Sequence, residues 1–343
     1  MRSFFIRFCL PLSILSVQLS LGAAARAADM PMDVRRIAFG SCNKHDQPQP
    51  LWDAILQNRP DLFIWAGDIV YNDTEDMSVM QANYQEQKRQ PGYQRLRESL
   101  LPGRVIGIWD DHDYGADDAG YLYSERDASQ KQLLDFLDEP GDSVRRGTAG
   151  VYTSTTYSHG RHLITVILLD TRYFRQDPGP EADILGEKQW EWLEEVFRQS
   201  RSSLHFIVSS IQFVAEDHKY ESWGKFPAAK ARMYRLIRET GVPGVIFLSG
   251  DRHFAELSVQ KDPAVVPYPV YDLTASGMTH SWTSLKEEEN RFREGKFFTG
   301  LNFGLVDIDL GYAAPRLFLQ VRDRDNMPRI SREVLLKELR PAP

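Results

Sequence analysis

Cysteine is nearly missing from this 343-residue chain, which contains only Cys9 and Cys42. Cys9 falls in an N-terminal stretch, "FCLPLSILSVQLSLG", that follows Arg2 and Arg7 and ends before "ARA" at 25–27. A positive start, an apolar centre and a small-x-small site form a secretory signal pattern, so residues 1–27 are expected to be removed and the mature chain exported to the periplasm or the medium. That leaves one cysteine and excludes an internal disulfide. No later apolar run is long enough to span a bilayer, so the mature chain is expected to carry no membrane span. An excess of basic residues is also missing. The formal charge is −7, and cleavage would remove Arg2, Arg7 and Arg26 without removing an acid. Such a chain is a poor non-specific partner for nucleic acid or an anionic membrane. A phosphate ester is still admissible as substrate, because a local metal cluster reverses the field inside a cleft. Linkers, low-complexity tracts and internal repeats are absent, and residues 28–343 read as a single domain.

What the chain does have is a series of short apolar runs, each followed by polar residues. "RRIAFG" (35–40) precedes Ser41-Cys42-Asn43, "LFIWA" (62–66) precedes Gly67-Asp68, and "RVIGIW" (104–109) precedes Asp110 to Asp113. "HLITVILL" (162–169), "LHFIV" (204–208) and "GVIFLS" (244–249) lead into Asp170-Thr171-Arg172, Ser209 to Gln212, and Gly250 to His253. Runs so short and so rich in Ile, Val and Phe predict buried strands. Amphipathic helices are expected between them. "LGEKQWEWLEEVFRQ" aligns Trp190, Leu193 and Phe197 on one face, and "PAAKARMYRLIRETG" opens on Pro227 and stops at Gly241. "PLWDAIL" and "SQKQLLDFLDE" are shorter helix candidates, and "NFGLVDIDL" with "PRLFLQVRD" reads as an antiparallel pair. The alternation points to an α/β fold with a mixed sheet or two packed sheets. Sites in such folds collect at the carboxyl ends of strands.

Each polar cluster has an ordinary reading beside a functional one. Cys42 could be a small buried hydrophobe or a working thiol. Gly67-Asp68 could be only a turn. "WDDHDYGADD" crowds Asp110, Asp111, Asp113, Asp117 and Asp118 around His112. It is either a solvated acidic loop or a set of carboxylates gathered around a cation. "LSGDRHFAE" sets Asp251 and His253 two apart after a strand, where both can face one ion; the alternative is a structural histidine. Arg172 could meet phosphate or anchor a nearby acid.

Taken together and in order, "FGSCN", "AGDIVY", "GIWDDHDYG", "LLDTRYFR", "LGEKQWEWL", "SSIQF", "LSGDRHFAEL", "YPVYDLTASGMTHSW" and "NFG" resemble the PhoD-like (alkaline phosphatase D) family of metallophosphoesterases. The resemblance covers nearly the whole mature chain. It implies two packed mixed β-sheets flanked by helices in a four-layer sandwich. It also implies a metal set of Cys42 as thiolate, Asp68 as bridging carboxylate, Tyr71 as phenolate, Asp111 in place of the superfamily's ligand Asn, and Asp251 with His253. A thiolate beside a phenolate suits Fe3+, and oxygen ligands around a second metal suit Ca2+ or another hard divalent ion. Asp117 stands where the family pattern has Asn, which would add an acid on the hard-cation side. His112 is then the expected general acid, Arg252 and His280 the expected substrate contacts, and Gln212 a supporting residue.

The expected activity is hydrolysis of small phosphate esters, mono- or diesters, by a metal-bound hydroxide. The alternative is a non-catalytic metal- or phosphate-binding protein of the periplasm on the same scaffold, which would have no use for His112.

Overall fold

Burial on both faces explains why the short apolar runs become strands: every residue of Leu62–Ala66, Leu204–Ser209 and Val245–Ser249 is buried. The structure, a computed structural model, describes residues 32–311 and 313–341. The expected signal segment at 1–27 lies outside the described residues.

Two six-stranded mixed sheets organise the chain. In the first, β1 (Arg36–Gly40), β2 (Leu62–Ala66) and β3 (Val105–Ile108) run parallel. On the other side of β1 comes an antiparallel meander formed by the three last strands of the chain, β10 (Asn302–Asp309), β11 (Arg316–Asp323) and β12 (Pro328–Leu335). In the second sheet β5 (His162–Leu168), β6 (Leu204–Ser209), β7 (Val245–Ser249) and β9 (Val270–Ala275) are parallel. Antiparallel β4 (Thr153–His159) and β8 (Ala255–Gln260) close its edges.

Helices flank both sheets. On the first, α1 (Trp52–Gln57) packs Trp52 against both Phe63 and Trp65 of β2. Nearby lie α2 (Met77–Arg89), α3 (Pro91–Ser99) and α5 (Arg126–Phe136), while the single turn α4 (Asp111–Tyr114) follows β3. On the second, α6 (Glu187–Gln199) buries Trp190, Leu193 and Phe197 as expected. The next helix, α7 (Pro227–Thr240), ends on Gly241 in the left-handed conformation, the stop read from the sequence. Among the described residues no helix is long and apolar enough to cross a membrane.

The sheets meet where β1, β2, β6 and β7 end, and glycine allows the approach. At Gly67, with φ +91°, a Cβ would stand 2.6 Å from Asp110 Cβ and 3.0 Å from Ser210 Cβ. Gly67→Ala is therefore expected to destabilise the protein by about 1–3 kcal/mol through overpacking, with strain from the positive φ added. Chemical denaturation of both proteins checks this, and an unchanged midpoint would contradict it.

Candidate metal centre and cleft

Four strand ends deliver the chemistry. Cys42 follows β1, Asp68 follows β2, Asp111 and His112 open the turn after β3, and Asp251 with His253 follow β7. The backbone is bent sharply to bring them together: Cys42, Asp68, Asp251 and His253 all have φ between 50° and 67°. Non-glycine residues seldom adopt that region, and such residues gather where surrounding structure holds them for function. Short backbone bonds tie the ends to one another. Asn43 N donates to Asp68 O at 2.8 Å, Asn72 N to His112 O at 3.1 Å, and Trp282 N to His253 O at 2.6 Å.

The donor atoms form a continuous set. The Cys42 thiol lies 3.2 Å from Asp68 Oδ2, and the Tyr71 hydroxyl lies 3.3 Å from that same oxygen and 3.1 Å from His253 Nε2. Cys42, Asp68 and His253 make one group able to hold a cation, and Asp68, Asp111 and His112 make another. Asp68 is common to both, the place expected of a bridging carboxylate. Asp68 Oδ1 and Asp111 Oδ1 are buried without a hydrogen-bond partner. Donors about 2.0–2.3 Å from a common ion stand about 3–4 Å apart, and the observed contacts of 3.1–3.3 Å fall in that range.

Electrostatics points the same way. Burial pushes the Cys42 thiol up to about 11, with a further upward push from Asp251 opposed by hydrogen bonds from Ser276 and Ser41. Burial first, then the neighbouring acids and Cys42, hold Asp68 and Tyr71 well above their ordinary values. Burial likewise raises Asp251, helped by Asp110. Burial thus favours the protonated forms of these four groups, whereas the burial of Asp111 is outweighed by Arg172 and His112, which shift it down.

His112 stands apart in character. Its Nδ1 is 2.7 Å from Asp73 Oδ1 and its ring stacks on Tyr71 with centroids 4.0 Å apart. Burial alone would lower its pKa. The Asp73 hydrogen bond and the charges of Asp68, Asp111 and Asp73 outweigh burial and raise it to about 10.

Asp68, Asp111, His112, Asp251 and His253 line a cleft of about 680 Å³. Asp117 and Asp118 are on its acidic rim, with Lys219, Tyr220, Arg252 and Trp282 among the other lining residues. Asp117 is exposed, and neither donor group includes it; its neighbour Asp118 donates its backbone N–H to Asp111 Oδ2 at 2.9 Å. Arg252 pairs with Glu288 and lies over the Tyr220 ring, its guanidinium 4.4 Å from the centroid. His280 reaches deeper than a rim contact, its Nε2 3.0 Å from the Tyr71 hydroxyl and 3.3 Å from His253 Nε2. Gln212 is bonded away from the cleft, to Glu256 and Thr274. The acidic run divides by role: Asp113 straps the segment after β2 by accepting from Ile69 N and Val70 N.

Residues without a role in the sequence reading also serve here. Ser276, just past β9, lies 2.9 Å from Cys42 Sγ and accepts from His253 N. Asp73 orients His112. "TASG" after an apolar run was the available signal for Ser276. Nothing local marks Asp73, because its partner is 39 residues away.

The PhoD-like phosphatase family matches residues 139–309. Over most of the chain the fold agrees with a solved PhoD structure, at a TM-score of 0.64 and 15% identity, covering 89% of this chain and 72% of that one. The chain belongs to the PhoD-like family. The family match begins downstream of Cys42, Asp68 and Asp111, so for those residues the geometry above is the support. The PhoD-like fold extends to two further structures. One is a purple acid phosphatase, PPD1, from yellow lupin seeds (TM-score 0.61, 13% identity, 89% of this chain and 54% of that one). The other is GAP50, described as the anchor in the inner membrane complex of Plasmodium (TM-score 0.58, 12% identity, 90% and 89%). No curated protein matches the sequence.

Because burial favours the protonated forms of Cys42, Asp68, Tyr71 and Asp251, loading a cation onto them is expected to expel protons. A raised pKa means the proton competes with the metal until pH exceeds that value. Affinity is therefore expected to rise with pH across the neutral and mildly alkaline range. Calorimetry of metal-free protein in buffers of different ionisation enthalpy measures the protons released, and binding with no release would contradict the assignment.

Proposed function

We propose that this PhoD-like chain is an exported, metal-dependent phosphoesterase that hydrolyses small phosphate esters. The observation that carries the reading is Asp68, a carboxylate shared by two donor groups, beside an imidazole braced from behind by Asp73. Cys42, Asp68, Tyr71 and His253 would hold one cation, and Asp68 with Asp111 the second, where His112, the third member of that donor group, is kept for the substrate; Asp251 completes the set as the resemblance implies. Thiol and phenol favour Fe3+ at the first, and the carboxylates favour Ca2+ or another hard divalent ion at the second. When bound, the pair supplies Lewis acidity for the phosphoryl oxygens and lowers the pKa of water.

The chain's own residues do the rest. With Nδ1–H of His112 given to Asp73, Nε2 is the nitrogen that can serve the substrate. The carboxylate of Asp73 behind the ring favours the imidazolium, from which Nε2–H can be given to the departing alkoxide. Lys219 and Arg252 on the cleft wall offer positive charge to the phosphate, and the ester group extends past Tyr220 and Trp282. Asp117 and Asp118 on the rim repel a dianionic monoester more than a monoanionic diester, so diesters are the preferred substrates. The alternative, a metal- or phosphate-binding protein on the same scaffold, would have no use for the braced His112.

The test compares bis(p-nitrophenyl) phosphate with p-nitrophenyl phosphate, on protein whose metals have been measured. The reading expects iron with visible absorbance, hydrolysis favouring the diester, and loss of activity with a chelator. His112→Ala is expected to lower kcat by about 10²–10⁴-fold with metal content retained. Metal-loaded protein that cleaves neither ester would overturn the reading, and metal lost in step with activity would make His112 a ligand instead.

A further inference from the structure

Arg172 is fully buried beside a cluster of donors that calls for cations, which is an unexpected place for a positive charge. Its bonds explain it. Arg172 Nε donates to Asp110 Oδ1 at 2.6 Å, and its Nη2 pairs with both Asp110 and Glu221. Asp111 is treated differently: Nη2 stands 3.9 Å from Asp111 Oδ1, beyond hydrogen-bonding distance. The other oxygen, Asp111 Oδ2, accepts from Asp118 N, so Oδ1 alone is left without a partner. The guanidinium thus binds the two carboxylates on either side and spares the one that faces the donor group.

The brace closes on itself. Ser210 Oγ donates to Asp110 Oδ1 at 2.7 Å. Arg172 N donates to Asp170 Oδ1 at 2.9 Å, and the same oxygen accepts from Trp109 Nε1, on the residue just before Asp110. Arg175 grips the second oxygen of Glu221. Glu221 follows Lys219 and Tyr220, which line the cleft. One buried fork therefore joins the end of β3, where Asp111 begins, to the segment that forms the cleft wall.

We infer that Arg172 is a positioning residue for the second cation: by holding Asp110 and Glu221 in its planar fork, it fixes Asp111 with one carboxylate oxygen free for the metal. The inference rests on the two-cation reading above. It makes a prediction opposite to that of plain electrostatics. Removing a positive charge 3.9 Å from a ligand should strengthen cation binding if charge alone matters. If Arg172 positions Asp111, removing it should weaken binding.

Full-length protein is stripped of labile divalent ions and titrated with Ca2+ by calorimetry, with circular dichroism to confirm folding. Arg172→Met is expected to lower Ca2+ affinity at least tenfold, and Arg172→Lys, which keeps the charge and loses the fork, to recover only part of it. Glu221→Gln tests the same brace with the guanidinium retained, decides the matter if Arg172→Met does not fold, and is expected to lower affinity severalfold. Unchanged or tighter binding in the folded variants overturns the inference and leaves the two-cation reading intact. Wild-type protein that binds none of Ca2+, Mg2+ and Mn2+ in the same titration overturns both.

Discussion

Negative charge that cannot stay uncompensated governs this structure. Asp68, Asp110 and Asp111 are buried together, with Asp251 close by and Cys42 and Tyr71 able to add two more anions. Two unit charges 4 Å apart interact by about 4 kcal/mol at an effective dielectric near 20, so several ionised carboxylates here would be severely destabilising alone. The protein meets part of that demand itself: Arg172 neutralises Asp110 and Glu221, and Asp113 is satisfied by backbone N–H groups. Asp111 is helped by the nearby charges of Arg172 and His112. What remains uncompensated is the set around Asp68 and Asp251, where burial and neighbouring acids raise the carboxyls. Protonation or bound cations are the two ways to relieve it, and the choice between them links the centre to pH.

The fold is arranged to create that crowding. Two sheets with parallel centres aim their strand ends at one seam, and glycine at 67 removes the side chain that would collide with Asp110 after β3 and Ser210 after β6. Left-handed backbone at Cys42, Asp68, Asp251 and His253 turns the donors back over the ends of their own strands. The cost of four such conformations is covered by the packing of a core that spans both sheets and by the bonds that lock one end to the next.

Much of this was legible in the sequence because it is local. The six apolar runs are strands within a residue or two of their expected ends, and α6 and α7 show the periodicity and stop signals that announced them. Edge strands β4 and β8 are less apolar or shorter of signal, and α2 is nearly polar all round, so none of these announces itself. At the site, Cys42, Asp68, Tyr71, Asp111 and His253 stand near one another, each at or just after the end of an apolar run that the sequence marks. The pairing of Arg172 with Glu221, the brace of Asp73 behind His112 and the place of Ser276 depend on contacts between distant segments, which no spacing in the sequence encodes. The strand ends also divide in a way the sequence does not show. Those after β1, β2, β3 and β7 carry donors, whereas those after β5 and β6 supply the brace through Asp170, Arg172 and Ser210.

The shared carboxylate is the centre of the account, and metal stoichiometry tests it most directly. Native mass spectrometry with elemental analysis should find two cations per chain in the wild-type protein. Asp68→Asn, which keeps the side chain's size and removes its charge, should lose both together. A variant that keeps one cation at full occupancy, or a wild-type protein that never holds more than one, would contradict the bridging role of Asp68.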